Sequence, residues 1–254
     1  MSIKTAALNG VATIEIARPE KKNAITVDMY AAMAAALLAA DVDPSVRAVL
    51  ITGQPGIFTS GNDLEDFMQR KNQGIDSPVI QFMLALVGCE KPVVAAVTGA
   101  AIGIGATMLL HCDLVYVSDE ARLAMPFTSL GLVPEFASSL IVPQLVGSVK
   151  AAERLLLGDP FSAEDAVEMR IANAVLPAGE VVNHARRMAE RFSALPPGAV
   201  RDTKKLLRRS NAGKVLETIA AEAKVFGERL SSPEATEAFS AFFQKRKPDF
   251  SPFS

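Results

Sequence analysis

The sequence lacks tryptophan altogether and contains only two cysteines, Cys89 and Cys112, and two histidines, His111 and His184. Two cysteines cannot build a disulfide framework, and these four residues do not form a Cys/His cluster at the spacing of zinc ligands. We therefore expect no metal site and a reducing compartment. A chain of 254 residues, half of them hydrophobic, can bury a core without such staples.

An excess of charge of one sign is also missing, because 26 Lys and Arg stand against 28 Asp and Glu, which gives a net charge of −2. The basic residues are spread along the chain, and this argues against a nucleic-acid partner. The first ten residues have neither the apolar core of a signal peptide nor the Arg-rich pattern of a transit peptide. We therefore expect a cytoplasmic protein.

One uncharged stretch, residues 93–110, only reaches the lower limit for a membrane span. Lys91 and Pro92 precede it, His111 and Asp113 follow it, and its middle consists of Gly and Ala rather than Leu and Phe. A buried strand, a turn and a helix explain this pattern better than a span does. We expect no membrane association.

Short strand-like runs alternate with helical runs in the first part of the chain, which predicts an α/β fold. Thr26 is the predicted N-cap of the first long helix, which ends near Asp43 and Pro44. The predicted strands cover residues 11–17, 46–53, 93–99, 113–118 and 122–125, and further helices cover residues 64–72 and 76–88.

The pattern becomes mainly helical after about residue 145, and Pro196, Pro197 and Gly198 interrupt it. We place a boundary there, between a core region of residues 1–195 and a C-terminal helical region of residues 196–254. The second region cannot easily form a core of its own. We expect it to pack on something else, such as another subunit.

Two turns of small residues follow buried strands, F-T-S-G-N-D-L at 58–64 and T-G-A-A-I-G-I-G at 98–105. Glycine lets the chain bend sharply there, and the N–H of Ile104, in the first turn of a helix, can point at a developing anion. The alternatives are a helix cap at Asn62 or Asp63 in the first turn and close Gly/Ala packing in the second. Both alternatives stay open on local sequence.

The second turn also fits the T-G-x-x-x-G-x-G pattern of short-chain dehydrogenases. Those enzymes place this turn after the first strand and need a Tyr with a Lys four residues later as proton donor. Here the residue four positions after Tyr30 is Ala34, and the residue four positions after Tyr116 is Glu120. Neither tyrosine therefore has the lysine needed to protonate an alkoxide. We set the dehydrogenase interpretation aside.

A third candidate is L-G-L-V-P-E-F-A-S-S-L at 130–140, where Glu135 lies among apolar residues. Burial there would raise the pKa of its carboxyl. The alternative is a helix start, with Pro134 at the first position and Glu135 in the first turn. The local sequence favours neither interpretation.

Several segments can be taken together: R-P-E-K-K-N-A (18–24), the two glycine turns, C-D-L-V-Y-V-S-D-E-A-R-L (112–123), L-G-L-V-P-E and the ending A-F-S-A-F-F-Q-K-R-K-P-D-F. In their order and spacing, they resemble the crotonase (enoyl-CoA hydratase/isomerase) family. The resemblance implies an α/β fold, a right-handed spiral of β-β-α units with a helical C-terminal part, assembled as a homotrimer or hexamer. It also implies an acyl-CoA thioester substrate and no cofactor, because coenzyme A is part of the substrate.

The same resemblance implies an oxyanion hole made by the backbone N–H groups of Asn62 and Ile104. Hydratases of the family use two glutamates, and those positions read Thr107 and Phe127 here. Glu135 is placed as in the isomerases that convert 3-enoyl-CoA into 2-trans-enoyl-CoA, so it is the expected catalytic residue. Weak hydration, thioester hydrolysis and non-catalytic acyl-CoA binding remain the alternatives.

Substrate-binding residues follow from the same alignment. The resemblance implies that coenzyme A lies along residues 21–24 and the backbone near Ser60, and that the segment 63–73 lines the acyl channel. Lys22 is the candidate for the coenzyme A phosphates, and a solvated lysine is its alternative. The expected contacts are Lys22, Ala24, Ser60, Gly61, Leu64, Phe127 and Leu132.

Overall fold

The computed structural model describes residues 2–69, 74 and 76–253 of the chain. Its strands are β1 Ile3–Leu8, β2 Val11–Ile16, β3 Ala48–Thr52, β4 Gly56–Thr59, β5 Val93–Val97, β6 Gly99–Ile102, β7 Leu114–Ser118, β8 Arg122–Ala124, β9 Phe161–Ser162 and β10 Ala174–Leu176. Its α-helices are α1 Val27–Val42, α2 Leu64–Gln69, α3 Pro78–Gly88, α4 Ile104–Thr107, α5 Ser138–Val146, α6 Ser148–Ala152, α7 Ala163–Glu168, α8 Val181–Glu190, α9 Pro197–Arg208, α10 Ala212–Leu230 and α11 Pro233–Phe243.

The strands form two sheets, and successive pairs of strands contribute to both. The larger sheet has the order β1-β2-β3-β5-β7-β10 and is parallel apart from the β1–β2 hairpin. The smaller sheet has the order β4-β6-β8-β9, in which β9 is antiparallel. The chain thus adds β3 and β4, then β5 and β6, then β7 and β8, with helical segments between the pairs. This is the β-β-α succession that the resemblance predicts.

Local signals account for the start and end of the first helix. The Thr26 hydroxyl accepts a hydrogen bond from the Met29 N–H at 3.3 Å, and Asp28 lies in the first turn, where the helix dipole favours a negative charge. The helix ends at Val42, before Asp43 and Pro44. The predicted cap and end of this helix are confirmed.

The predicted strand at 93–99 is wrong in its extent, because the chain bends there and forms two strands, β5 and β6, in different sheets. The bend brings Gly99 against the neighbouring strand. A Cβ atom at Gly99 would lie 2.0 Å from the Gly56 carbonyl oxygen. The apolar run of residues 93–102 therefore divides into two strands at Gly99, because only glycine permits this close approach to the Gly56 backbone. The hydrophobic periodicity of the run did not reveal this contact. Strands β1, β4, β9 and β10 were not predicted.

The helix predicted at 64–72 is described as Leu64–Gln69, and residues 70–73 lie outside the described residues. The helix predicted at 76–88 begins at Pro78, with Ser77 as its N-cap. In the described part of the chain, no helix combines the length and the apolar character needed to cross a membrane.

The C-terminal helices pack in part on the rest of the same chain. Val215, Ile219 and Phe226 of α10 and Phe239 of α11 belong to the same hydrophobic cluster as the β3 and β5 side chains. Other apolar side chains of this region remain exposed, namely Leu206, Leu207, Leu216, Val225, Phe242 and Phe243. The boundary at residue 195 and the trimer or hexamer remain predictions.

Candidate active site

A cavity of about 710 Å³ brings together most of the predicted site residues, although they come from distant parts of the sequence. Its wall is formed by the segment after β2, the two glycine turns, the loop after β8, and the side chains of Phe226, Phe242 and Phe243 from α10 and α11. Nine of the ten predicted residues line it: Lys22, Ala24, Ser60, Gly61, Asn62, Leu64, Ile104, Phe127 and Leu132. Glu135 lies beside it.

The backbone of Asn62 is oriented by a parallel bridge to Ile25. The Ile25 N–H donates to the Gly61 carbonyl oxygen at 2.8 Å, and the Asp63 N–H donates to the Ile25 carbonyl oxygen at 2.9 Å. In a parallel bridge of this pattern, the N–H of the middle residue points to the opposite side. The Asn62 N–H therefore faces away from Ile25.

The side chain of Asn62 is anchored in the interior by a residue that the sequence interpretation missed. The buried Tyr30 hydroxyl donates to Asn62 Oδ1 at 2.5 Å. Burial, reinforced by the charge of Glu135, raises the pKa of Tyr30. Tyr30 therefore stays protonated as a donor. Its place on the inner face of α1 was the available signal, but a tyrosine on such a face usually indicates only core packing.

The N–H of Ile104 lies in the first turn of α4. Gly103, with φ of 58°, precedes the helix, and its carbonyl oxygen accepts from the N–H groups of Ala106 at 2.9 Å and Thr107 at 3.0 Å. The N–H groups of Ile104 and Gly105 thus stand at the open, positive end of the turn. The Ile104 side chain is buried in the core.

Glycine lets the two turns touch. A Cβ atom on Gly61, whose φ is +91°, would lie 2.9 Å from the Ile102 carbonyl oxygen. A Cβ atom on Gly105 would lie 2.5 Å from Thr59 Cγ2. Real Cβ contacts are longer than these distances, so larger residues would push the turns apart. The local backbone thus places the Asn62 and Ile104 turns side by side.

Helix α5 begins at Ser138, so the alternative that made Glu135 part of the first helical turn is wrong. The chain instead passes through two consecutive left-handed residues, Phe136 at φ 60° and Ala137 at φ 57°. Left-handed residues cannot continue a right-handed helix, and this delays the helix start beyond Pro134 and Glu135.

The Glu135 carboxyl is buried in an apolar environment. The residue is 6% exposed, and its Oε1 atom has no hydrogen-bond partner among the residues that the structure describes. Burial, together with the nearby charge of Glu222, raises the pKa of Glu135 to about 8. The apolar neighbours in the sequence predicted this direction.

Glu135 lines a small cavity of about 20 Å³ beside the large one. Phe136 and residues of helices α3 and α10 supply the rest of its wall, and the side chain of Phe226 lines both cavities. The two cavities therefore adjoin at Phe226. The other residues around the small cavity are Val79, Ile80, Met83, Phe136, Ile219 and Ala223.

The two positions that resemble the hydratase glutamates carry no acid. Thr107 is fully buried in α4, and within the described residues its hydroxyl has no hydrogen-bond partner. Phe127 is 5% exposed and lines the large cavity. Neither side chain can take a proton from water.

The rim of the cavity is held by backbone contacts near Lys22. The Lys22 side chain is exposed, and its carbonyl oxygen accepts from the Ser60 N–H at 3.1 Å. Asn23, which the sequence interpretation missed as a positioning residue, is fully buried and donates to the Phe58 carbonyl oxygen at 3.1 Å. A buried Asn tied to backbone groups fixes this loop against the first glycine turn.

Part of the predicted acyl-channel segment also faces the cavity. Asp63, Leu64 and Glu65 line it. Asp63 accepts from the Asp66 N–H at 3.1 Å and pairs with Arg18 at 2.6 Å, so the predicted capping role of this acid is also met. Residues 70–73 of the predicted segment are outside the described residues.

The chain is similar to proteins of one family over nearly its whole length. Residues 6–252 match the family model described as enoyl-CoA hydratase/isomerase. Human enoyl-CoA delta isomerase 2 is 34% identical over 94% of this chain, which spans 62% of that relative's length. A probable enoyl-CoA hydratase of Bacillus subtilis is 30% identical, with 94% of this chain and 95% of the relative covered.

A solved structure agrees with this assignment. The structure of Pseudomonas aeruginosa OdaA has a TM-score of 0.93 and 50% sequence identity to this chain, with 95% of this chain and 98% of that chain covered. The α/β spiral with its C-terminal helices is therefore the crotonase fold, as the resemblance predicts. On both sequence and structure, this chain is a member of the enoyl-CoA hydratase/isomerase family.

Proposed function

We propose that the protein is an acyl-CoA isomerase that moves the double bond of a 3-enoyl-CoA to the 2-trans position, with Glu135 as its single proton-transfer group. The observation that carries the proposal is the buried Glu135 carboxyl, whose pKa of about 8 suits a group that must both accept and donate a proton. The absence of an acid at Thr107 and Phe127 supports it.

The thioester carbonyl oxygen would be bound by the N–H groups of Asn62 and Ile104. Removal of a proton from C2 places negative charge on that oxygen, and two preorganised N–H donors stabilise it more than they stabilise the neutral thioester. Such a donor contributes about 3 kcal/mol to the transition state. Because only backbone atoms are needed, the side chains of Asn62 and Ile104 do not enter the chemistry directly.

The proton balance of the reaction needs one carboxyl. Ionised Glu135 takes a proton from C2 and forms a dienolate, and the now neutral Glu135 returns that proton to C4. The double bond between C3 and C4 becomes a bond between C2 and C3, conjugated with the thioester. No water, metal or redox cofactor is consumed, so we expect the reaction to proceed in the presence of a chelator.

Hydration requires an additional group that activates water. Thr107 and Phe127 replace both acids that the resemblance assigns to that step, and neither replacement can act as a base. The known relatives bear the names of isomerases and hydratases alike. The identity of the acids in this chain therefore favours isomerisation.

Two substrates distinguish the possible activities. With trans-3-hexenoyl-CoA, we expect the ultraviolet absorbance to rise as the double bond becomes conjugated with the thioester. With crotonyl-CoA, which is already conjugated, we expect the absorbance to stay constant because no water is added. Hydration of crotonyl-CoA without isomerisation would assign the alternative hydratase activity. Binding of both esters without turnover would assign a non-catalytic acyl-CoA binder. Either result would overturn the proposal.

The substitution Glu135→Gln tests the proton-transfer group. It keeps the shape of the side chain but removes the base, so we expect kcat on the 3-enoyl-CoA to fall by about 10³-fold or more, with the Kd of a saturated acyl-CoA little changed. Glu164→Gln, at an exposed position in the first turn of α7, is the matched control and should retain full activity. A Glu135→Gln variant that keeps most of its rate would exclude Glu135 as the base.

A further inference from the structure

The segment that follows Glu135 is strained. Phe136 and Ala137 both adopt left-handed backbone angles, with φ of 60° and 57°, and neither is glycine. Side chains with a Cβ atom disfavour this region, and two such residues in succession persist only where the surroundings hold them. The direction in which Glu135 projects depends on these two residues, since they connect it to helix α5.

One contact that holds the segment comes from His111, in the 3-10 turn Met108–His111. Its Nε2 atom lies 2.7 Å from the Phe136 carbonyl oxygen, and its ring stacks on that of Phe136 with the centroids 4.1 Å apart. Burial lowers the pKa of His111 to about 4, so the ring is neutral at physiological pH. Because a carbonyl oxygen only accepts, Nε2 must carry the ring hydrogen.

The other contact comes from Glu222, on the C-terminal helix α10. Its Oε2 atom accepts from the Ala137 N–H at 2.6 Å, and its Oε1 atom accepts from the Ser139 N–H at 3.0 Å and the Ser139 hydroxyl at 2.5 Å. Glu222 is 8% exposed. Both carboxylate oxygens thus bind donors that surround the left-handed turn.

We infer that Glu222 is a positioning residue for the reaction: its carboxylate holds the left-handed turn at Phe136 and Ala137 and so aims Glu135 toward the substrate. The part that concerns the reaction rests on the proposed function. Glu222 itself touches neither the large cavity nor the small one that Glu135 lines.

The buried carboxyls of Glu135 and Glu222 have different surroundings, so they lose their protons at different pH values. Burial raises the pKa of both, but three donors stabilise ionised Glu222, whereas Glu135 gains no comparable donor within the described residues. Glu222 therefore ionises first, and its negative charge adds to the pKa rise of Glu135. The same side chain thus fixes the position of Glu135 and favours its neutral form.

Other charged and titratable groups near Glu135 are few. Tyr30 of α1 is close enough to feel its charge, and His111 stacks on the adjacent Phe136. Helix α3 faces the carboxyl with the apolar side chains of Val79, Ile80 and Met83. With Tyr30 protonated and His111 neutral near pH 7, Glu222 contributes the charge that a substitution can remove.

Nuclear magnetic resonance of the full chain tests the inference without any turnover. Glutamate is labelled at its carboxyl carbon, and the Glu135 signal is assigned as the one missing from Glu135→Gln. In Glu222→Gln we expect the Glu135 titration midpoint to fall by about one pH unit. We also expect the Ala137 and Ser139 amides to exchange with solvent at least about tenfold faster, because one amide side chain cannot accept at both of its ends.

Controls separate these effects from general loosening. Glu228→Gln, at an exposed position on the same helix, should leave the Glu135 titration and both amides unchanged. Ser139→Ala removes only the hydroxyl donor and should cause a smaller change in the same direction, so it replaces Glu222→Gln if that variant does not fold. An unchanged Glu135 titration and unchanged amide exchange in Glu222→Gln would overturn the inference.

Steady-state kinetics with the 3-enoyl-CoA then test whether the position of Glu135 affects the reaction. For Glu222→Gln we expect kcat to fall by about 10- to 100-fold with KM changed less than about threefold, since a misplaced base lowers the rate of the chemical step. A fall confined to KM would contradict the positioning role. If the wild-type protein fails to isomerise while the resonance changes appear as expected, the proposed function is wrong and the structural role of Glu222 stands.

Discussion

The glycine turns and the Glu135 segment both need left-handed backbone, but they obtain it differently. Gly61 and Gly103 adopt φ of +91° and +58° without a Cβ atom to resist it. Phe136 and Ala137 also adopt positive φ, of 60° and 57°, but with side chains present, and His111 and Glu222 hold them. The first arrangement is specified by the local sequence, whereas the second depends on residues far away in the chain.

The difference matches the chemistry that each region contributes under the proposed function. The turns offer backbone N–H groups, which every residue except proline possesses, so Asn62 and Ile104 can differ from their counterparts in relatives. The Glu135 segment offers one side-chain carboxyl, and only its environment gives it a suitable pKa. A site of this kind can accept other side chains at Asn62 and Ile104, whose N–H groups are the donors, but it needs the turn glycines and the Glu135 carboxyl.

Among changes to the backbone of the two regions, the largest expected effect on stability comes from Gly61→Ala. The new Cβ atom meets both a left-handed φ and the Ile102 carbonyl oxygen, so we expect the free energy of unfolding to fall by about 2–3 kcal/mol and isomerase turnover to drop at least tenfold. Gly56→Ala is the control, because Gly56 also has a positive φ of +78° but open space around its Cβ position. Equal losses of turnover in the two variants would show that contact between the turns is unimportant.

The pH dependence should report the acid and not the turns. Under the proposed function, ionised Glu135 is the base, and burial raises its pKa to about 8. The value of kcat/KM should therefore rise about tenfold per pH unit below 8 and level off above it, because the free enzyme must lose one proton. A profile that is flat between pH 6 and 8 would contradict the raised pKa. Binding of a saturated acyl-CoA by the backbone donors should change much less over this range.

A smaller effect is expected from Ala137→Gly. Glycine relieves left-handed strain of about 1 kcal/mol, but it also increases the entropy of the unfolded chain by a similar amount, so the free energy of unfolding should change by less than about 1 kcal/mol. Chemical denaturation measures this change. Gly198→Ala is the control for the reverse substitution, because a Cβ atom at Gly198 would have open space around it. A loss of several kcal/mol in Ala137→Gly would show that the Ala137 methyl group, rather than the hydrogen bonds, holds the turn.

The smallest effect is expected at the exposed rim of the first glycine turn. Lys22→Ala should weaken binding of a coenzyme A ester by about 0.2–1 kcal/mol at low salt, and the difference should vanish at high salt, because an exposed charge is screened. Isothermal titration calorimetry at two salt concentrations measures it, with exposed Lys214→Ala as the control. Unchanged affinity at low salt would favour the alternative that Lys22 is merely solvated.

Much of the fold could be predicted because its signals are local. Thr26 and Asp28 mark the start of α1, and uniformly buried apolar runs mark β3 and β5. The division at Gly99 could not be predicted, since it depends on the approach of Gly56 from another strand. For the same reason, Tyr30 and Asn23 were missed: each resembles an ordinary helix or loop residue until its distant partner is known.

The sequence by itself determined the family, the two glycine turns and Glu135 as the candidate acid, because motif order, glycine spacing and residue identity are all read along the chain. Only the tertiary structure decided the start of α5 at Ser138 and the close placement of Glu222, 85 residues from Ala137, against the Glu135 segment. It also gathered nine predicted residues around one cavity. The physical reason is that burial and hydrogen bonding between distant residues override local propensity wherever the folded chain brings those residues together.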